Sequence, residues 1–329
     1  MKVANAIQAP APGGPEALQL VQVQVGPPAA DELLIEVHAA GINRADCKQR
    51  EGNYPMPPGA PRTFGLELSG TVAEIGAGVT GWIVGDRVCA LVAGGGYAGY
   101  CVAPAGQCLP VPENVDLVEA AALPEAVFTV WTALFEHGAL RAGDVALIHG
   151  GASGIGTMAI QMAAALGSRV IATAGSAERC SLCETLGAEL AIDYHKQDFV
   201  AEVLRHTEGR GADVVLDMVG GPYAGRNLKA MAPFSRLCYI AGDAGPEATF
   251  NIREIMMKRI VVTGSTLRHR SVEDKTRIAG ILKRVVWPLL ERGRVKPVVD
   301  RIFPLEQAAQ AHAAMEAGGI AGKILLKAR

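Results

Sequence analysis

Glycines and small residues come together once in this chain in a pattern with chemical content: Gly151-Ala152-Ser153-Gly154-Ile155-Gly156. The hexapeptide follows an apolar run at 144–149 and opens a helical pattern at 154–166. A diphosphate needs backbone N–H groups at a helix N-terminus with no side chains in the way. Glycine permits both the tight turn and the close approach. The spacing is G-x-x-G-x-G, a variant of the commoner G-x-G-x-x-G. A glycine turn alone often serves packing only; the strand before it and the helix after it point to a dinucleotide.

The end of the next strand carries a second signal. An NADH site usually places Asp or Glu there, about 20 residues on, against the ribose 2′-OH. Here 169–174 runs into Gly175-Ser176 with no carboxylate, and Arg179 follows. A small residue, a hydroxyl and a guanidinium suit a 2′-phosphate, so the pattern favours NADPH. Glu178 would repel that phosphate if it pointed inward, and is read as facing solvent. The plainer reading of Arg179 is a solvated charge at a helix start.

Other reactive residues carry less. The cysteines (47, 89, 101, 108, 180, 183 and 238) are odd in number and scattered, unlike a disulfide framework. Cys180 and Cys183 form a C-x-x-C, but no second Cys/His pair stands at zinc-finger spacing, so reduced, buried thiols are expected. His149 sits in the strand before the turn and reads as a packed histidine rather than a proton donor.

The elements that must position these residues follow from periodicity. The first third is β-rich: 1–7, 17–25, 31–40, 67–75, 87–91 and 100–102 read as strands, punctuated by Gly13-Gly14-Pro15, Pro57-Pro58-Gly59 and Gly94-Gly95-Gly96. A barrel-like or rolled β domain is expected. The texture changes near residue 120. Helix at 119–123 and 125–137 leads into six apolar strands (144–149, 169–174, 189–192, 213–218, 236–241, 260–266), with helical segments between the earlier ones. That alternation predicts an α/β, doubly wound parallel sheet covered on both faces. A helix at 274–291 interrupted by Pro288, a strand at 298–303, a helix at 305–316 and a strand at 323–326 finish the chain.

Composition narrows the class. The 329 residues carry 31 Lys+Arg and 33 Asp+Glu, a net charge of −2, and half are hydrophobic. The length suggests two domains. The apolar content excludes disorder, and the charge argues against a protein held to nucleic acid by a basic surface. No apolar run approaches the roughly 20 residues that span a bilayer, and no signal-peptide core is evident. A soluble, cytoplasmic protein is expected.

Four stretches together resemble the zinc-free quinone oxidoreductases of the medium-chain dehydrogenase/reductase superfamily, the zeta-crystallin-like branch, and most of all its tumour-suppressor-inducible members. They are Gly41-Ile42-Asn43-Arg44-Ala45-Asp46 with Gln49-Arg50-Glu51-Gly52-Asn53-Tyr54-Pro55; Gly65-Leu66-Glu67-Leu68-Ser69-Gly70; Pro124-Glu125-Ala126 with Thr129; and the glycine turn. The resemblance implies a GroES-like catalytic domain from 1–122 and 268–329, an inserted Rossmann NADPH-binding domain at 123–267, and a cleft with the nicotinamide at its base. It places Asn43, Tyr54 and Thr129 at the nicotinamide end. Asn43 would donate to a substrate oxygen or the carboxamide, Tyr54 would stack or donate, and Thr129 would hold the nicotinamide. The alternative for Asn43 is a turn residue, and for Tyr54 a packing role in a proline-rich loop. Glu67 would be a structural remnant.

For the cofactor the resemblance matches Ser153, Gly154, Ile155 and Gly156 to the diphosphate, and Gly175, Ser176, Arg179 and Tyr194 to the adenosine end. Ala241, Gly242 and Asp243 end the fifth strand, and Ser265, Thr266 and Leu267 the sixth, where such sheets bind ligands. The family varies at Asp243, so only its backbone is matched, and it more often has Lys where Arg179 stands. Zinc-dependent relatives carry Cys at Asn43, His at Leu66 and a four-Cys cluster near residue 100. With those ligands replaced, no metal is expected, and the chemistry must suit an acceptor that takes hydride without a Lewis acid. A quinone fits. An enone reduced at its conjugated C=C bond is the nearest alternative, and an NADPH-binding structural or RNA-binding protein is the alternative from another class. A homodimer through the edge of the Rossmann sheet at 260–266 is implied.

Overall fold

Alternating apolar and polar residues build the first element pair. In the computed structural model, which describes residues 1–329, β1 (Lys2–Gln8) and β2 (Gln19–Val25) form an antiparallel hairpin with Lys2 opposite Val25 and Gln8 opposite Gln19. Next come β3 (Glu32–Gly41), α1 (Arg44–Arg50), β4 (Glu67–Ile75), β5 (Arg87–Leu91), β6 (Tyr100–Pro104) and β7 (Cys108–Pro110). Helix α1 and strand β7 were not anticipated from the sequence. A short 3-10 turn at Glu119–Ala122 precedes α2 (Pro124–Val130), which widens into a π-helical stretch at Trp131–His137. There the Gly138 N–H reaches back five residues to the Ala133 carbonyl at 2.9 Å.

Strands and helices then alternate: β8 (Val145–Ile148), α3 (Gly154–Ala165), β9 (Arg169–Ala174), α4 (Ala177–Thr185), β10 (Leu190–Asp193), α5 (Phe199–His206), β11 (Ala212–Asp217), α6 (Ala224–Ala230), β12 (Met231–Tyr239), α7 (Ile252–Lys258) and β13 (Val261–Gly264). Helix α7 has no counterpart among the expected elements, and β12 begins five residues before the expected strand. The tail adds α8 (Val272–Val285), α9 (Trp287–Glu291), β14 (Val299–Pro304), α10 (Ala308–Ala317) and β15 (Lys323–Lys327). Pro288 sits in the first turn of α9, where its missing N–H leaves no helical bond unmade, so the break falls just before it.

The chain divides into two units, Met1–Glu125 with Arg268–Arg329, and Ala126–Leu267. The second holds a six-stranded parallel sheet in the order β10-β9-β8-β11-β12-β13. That is a doubly wound order, with β8 at its centre. Leu147, Ile171, Val215 and Leu237 stand in register across its strands, fully buried, with Ile192 two residues further along β10, and Phe199, Val203 and Leu228 of the helices join the same core. Each such side chain contributes about 1.5–3 kcal/mol through burial. Helix N-termini are capped by Ser153, Ser176 and Asp198, whose side chains accept from N–H groups of the first turn.

The first unit holds a seven-stranded sheet, β14-β15-β3-β4-β5-β7 with β6 also paired to β3. Leu33, Ile35, Val37, Leu68, Val72 and Val88 form its core. The C-terminal strand β15 lies antiparallel to β3, with Leu325 opposite Gly41. This pairing closes the first unit from its two chain ends and brings Lys323 beside the start of α1.

Candidate active site

In the second unit the glycine turn has the geometry a diphosphate requires. Ser153 caps α3: its Oγ accepts from the Gly156 N–H at 3.0 Å, and its carbonyl accepts from Thr157 N–H at 2.8 Å. The amides of Gly154 and Ile155, the first two of the helix, have no acceptor within the protein. Two free N–H groups at the positive end of a 12-residue helix form an anion site. A Cβ at Gly156 would strike the Gly150 carbonyl and the Gly151 backbone, so glycine is required there for the turn itself.

At the ends of β9 and β10 the residues expected at the adenosine end converge. A Cβ on Gly175 would lie 2.6 Å from the Tyr194 hydroxyl and 3.5 Å from His195 Nε2, so glycine makes room for both. The rings of Tyr194 and His195 are 4.5 Å apart. Ser176 Oγ accepts from the Arg179 N–H at 3.3 Å, and the Arg179 side chain bonds nothing in the chain. Glu178 is exposed, as read. Its carboxyl is held below its usual range by its own backbone N–H and then the Ser176 hydroxyl, with Lys196 and Arg179 adding positive charge. His195 and Lys196 are therefore part of this corner, and sequence reasoning passed over them. Their signal was their position directly after Tyr194 at a strand end.

Ala241, Gly242 and Asp243 follow β12, where the Asp243 N–H donates to the Met218 carbonyl at 3.1 Å. Ser265, Thr266 and Leu267 follow β13, with Ser265 N–H donating to the Tyr239 carbonyl at 3.0 Å. All these groups lie at carboxyl ends of strands in one sheet. His149 is packed. Fully buried behind the turn, its Nε2–H donates to Asn227 Oδ1 at 2.8 Å and its Nδ1 meets the Thr173 hydroxyl at 3.0 Å. Burial holds its pKa down. Thr129 lies on α2, partly exposed.

The first unit carries a buried polar cluster. Asn43 Nδ2 donates to Glu67 Oε1 at 3.0 Å and to the Gly41 carbonyl at 3.4 Å, and its Oδ1 accepts from Lys323 Nζ at 2.7 Å. Lys323 also pairs with Glu67 Oε1 at 2.5 Å. Glu67 Oε2 accepts from the Glu125 N–H at 2.8 Å. Glu67 thus ties β4 to the starts of α1 and α2 and to β15. Asn43 is expected to donate to a substrate oxygen or the carboxamide; in this structure its amide hydrogens face Glu67 and Gly41.

A second layer lies behind. Asp46 Oδ2 accepts from the Asn43 N–H at 2.8 Å and from the Tyr97 hydroxyl at 3.1 Å. Burial lifts the Asp46 carboxyl to about 6. His312 sits against Tyr97, Cys47 and Arg50, and burial followed by the Arg50 charge lowers it to about 3. A neutral histidine beside a thiol pushed up to about 12 is no nucleophilic dyad.

Tyr54 faces a different set of groups. The Arg268 guanidinium lies 5.6 Å from its ring centre and the His269 ring 6.0 Å away. Arg268 Nε and Nη2 both donate to the Ala93 carbonyl, while its buried Nη1 has no partner. Burial, then the charge of Glu125, raises the Tyr54 phenol further above its usual range. No group of three or more His, Cys, Asp or Glu side chains is placed to hold a metal ion. Leu66 is buried and apolar, and Cys101 and Cys108 are buried free thiols in one core cluster.

A parallel-sheet unit with an anion-binding turn, in one chain with a β-rich unit built from both chain ends, defines a medium-chain dehydrogenase/reductase architecture. Residues 29–113 match the family described as alcohol dehydrogenase GroES-like domain, and 154–283 the family described as zinc-binding dehydrogenase. The chain is 34% identical to the quinone oxidoreductase of Mus musculus over 95% of both chains. It is 33% identical to that of Pseudomonas aeruginosa over 98% of this chain and 99% of the other. The Escherichia coli quinone oxidoreductase complexed with NADPH superposes with a TM-score of 0.87 at 29% identity, covering 98% and 99% of the two chains. The chain belongs to the quinone oxidoreductase family, in the zinc-free branch of the medium-chain dehydrogenases/reductases.

Proposed function

We propose that the chain passes a hydride from NADPH to a quinone without a metal ion. It is an NADPH-dependent quinone oxidoreductase. The observation that carries this is the pair of unengaged amides at the N-terminus of α3, with Arg179 and Tyr194 gathered at the ends of β9 and β10. NADPH, when bound, supplies the hydride. The residues around it hold and orient. The Gly154 and Ile155 amides take the diphosphate, and Ser153 keeps the turn closed. Arg179, Ser176 and Tyr194 take the 2′-phosphate, with Gly175 leaving space for it. The backbone after β12 and β13, at 241–243 and 265–267, lines the remainder, and Thr129 holds the nicotinamide. Tyr54 meets the substrate with a phenol that keeps its proton at neutral pH. Asn43, fixed by Glu67 and Lys323, anchors the start of α1. No helix is long and apolar enough to cross a membrane, and the enzyme works in the cytoplasm.

Steady-state assays with naphthoquinone, phenanthrenequinone and an alkenal, each with NADPH, test the reading. Quinone turnover well above alkenal turnover is expected. The reverse order would make it an enone reductase, and no turnover on any of the three would sink the assignment.

A second copy of the chain completes the molecule. Strand β13 pairs only with β12, and its Val261 and Val262 are exposed. Ile252, Met256 and Met257 on α7, each about 70% exposed, add an apolar surface to the same unit. An apolar open edge of this kind pairs with its own copy.

A further inference from the structure

Tyr54 stands in a stretch that has little backbone bonding to hold it. Residues 52–61 belong to no helix or strand and include Pro55, Pro57, Pro58 and Pro61, which have no N–H to give. No hydrogen bond inside the chain holds the Tyr54 hydroxyl. What meets the ring instead is the Arg268 guanidinium, 5.6 Å from its centre, with the His269 ring 6.0 Å away. Arg268 is only 5% exposed. No carboxylate stands within ion-pair distance of it, and Asp46 and Glu125 act on it only at longer range. A cation buried in this way is costly unless other groups compensate. One such group is the Ala93 carbonyl, which accepts from Nε at 3.0 Å and from Nη2 at 2.6 Å. The other is the π face of Tyr54: the buried Nη1 has no polar partner, and the guanidinium lies within cation–π reach of the ring. The backbone of Arg268 is pinned as well, because its carbonyl accepts from Lys275 Nζ of α8 at 2.9 Å.

We propose that Arg268 is a positioning residue for the quinone, holding the Tyr54 ring in the orientation that meets the substrate. This rests on the quinone oxidoreductase reading and on Tyr54 as the group that meets the quinone. A guanidinium is planar and charged, so it can lie against a ring while its other nitrogens grip a carbonyl. The grip ties Ala93, shortly after β5, to Tyr54, shortly after α1. The ring is held through its face, which leaves the phenol O–H free to donate to a quinone oxygen. A group held in place before the substrate arrives need not be ordered on binding. At its usual strengths a cation–π contact shifts an equilibrium by about threefold to thirtyfold. Lys at this position would keep the charge and lose the fork; Met would lose both.

The test is a double-mutant cycle on the KM for naphthoquinone. Its members are the wild type, Arg268→Met, Tyr54→Leu and their combination, with Arg268→Lys alone and on Tyr54→Leu. Each is also measured for kcat and, by fluorescence, for NADPH affinity. Arg268→Met should raise KM about threefold to thirtyfold, hold kcat within about twofold and leave NADPH affinity unchanged. Arg268→Lys should fall between it and the wild type. On Tyr54→Leu neither substitution should move KM further, because no ring is left to position. KM rises of the same size in both backgrounds would overturn the proposal, as would a loss of NADPH affinity in step with KM. If Arg268→Met does not fold, Arg268→Lys carries the same comparison. A Tyr54→Leu variant with the wild-type KM would also overturn it, while leaving the quinone assignment standing. A wild type inactive on quinones would instead defeat the assignment beneath it.

Discussion

Asn43 has two donors and an acceptor in its amide, and all are engaged inside the protein by Gly41, Glu67 and Lys323. Its side chain is legible from the sequence only as a polar residue at a helix start. Its main partner, Lys323, lies 280 residues away, and no local pattern links the two. The same holds for Glu67, whose role as a hub rests on that distant cation, and for Tyr54 and Arg268, which meet across the chain. Arg179 is the opposite case, because a strand end without a carboxylate and a cation three residues past Ser176 are local features. Hydrogen bonds to charged groups contribute about 1.5–3 kcal/mol each, and partial exposure moves Arg179 toward the lower end. Arg179→Ala should raise the apparent KM for NADPH about tenfold, with little change for NADH. Parallel titrations with the two cofactors check this; equal losses would show that the guanidinium does not meet the 2′-phosphate.

Most elements are legible in the sequence, those of the second unit almost to the residue, because each of its strands is a short apolar run between turn signals. The exceptions are instructive. Helix α7 exposes Ile252, Met256 and Met257, so it lacks the one-sided apolar pattern that marks a packed helix. Helix α1 is only seven residues long, and the capping Asp46 that secures it also serves the buried cluster. The π-helical stretch after α2 has the same composition as an α-helix, and only its bonding differs. Strand β13 is where the elements make a measurable claim. Placing a charge on an open apolar edge disfavours pairing, so Val262→Lys should shift the protein from dimer toward monomer in sedimentation at micromolar concentration. A wild type that sediments as a monomer would remove the proposed interface altogether.

The whole molecule is threaded so that one unit is continuous and the other is not. The parallel-sheet unit runs from Ala126 to Leu267, whereas the other needs residues from both ends of the chain. Removing residues 320–329 would delete β15, open the edge of β3 and leave Glu67 buried without its cation. Breaking a buried pair in this way costs about 3–5 kcal/mol, a large share of the roughly 5–15 kcal/mol that holds a typical domain folded. The truncated chain should therefore lose its first unit to limited proteolysis and leave a resistant fragment near 126–267 that still binds NADPH. Survival of both units would show that β15 is dispensable.

All seven cysteines are buried, and every thiol is shifted upward, chiefly by burial, four of them to about 12. At neutral pH such a group is a thiolate only about once in 10⁵. Quinones are electrophiles that arylate thiolates by Michael addition, so an enzyme that handles them is exposed to its own substrate. This chain offers that reaction no accessible thiol. The interior placement of its thiols makes the catalyst resistant to being consumed by the compounds it reduces.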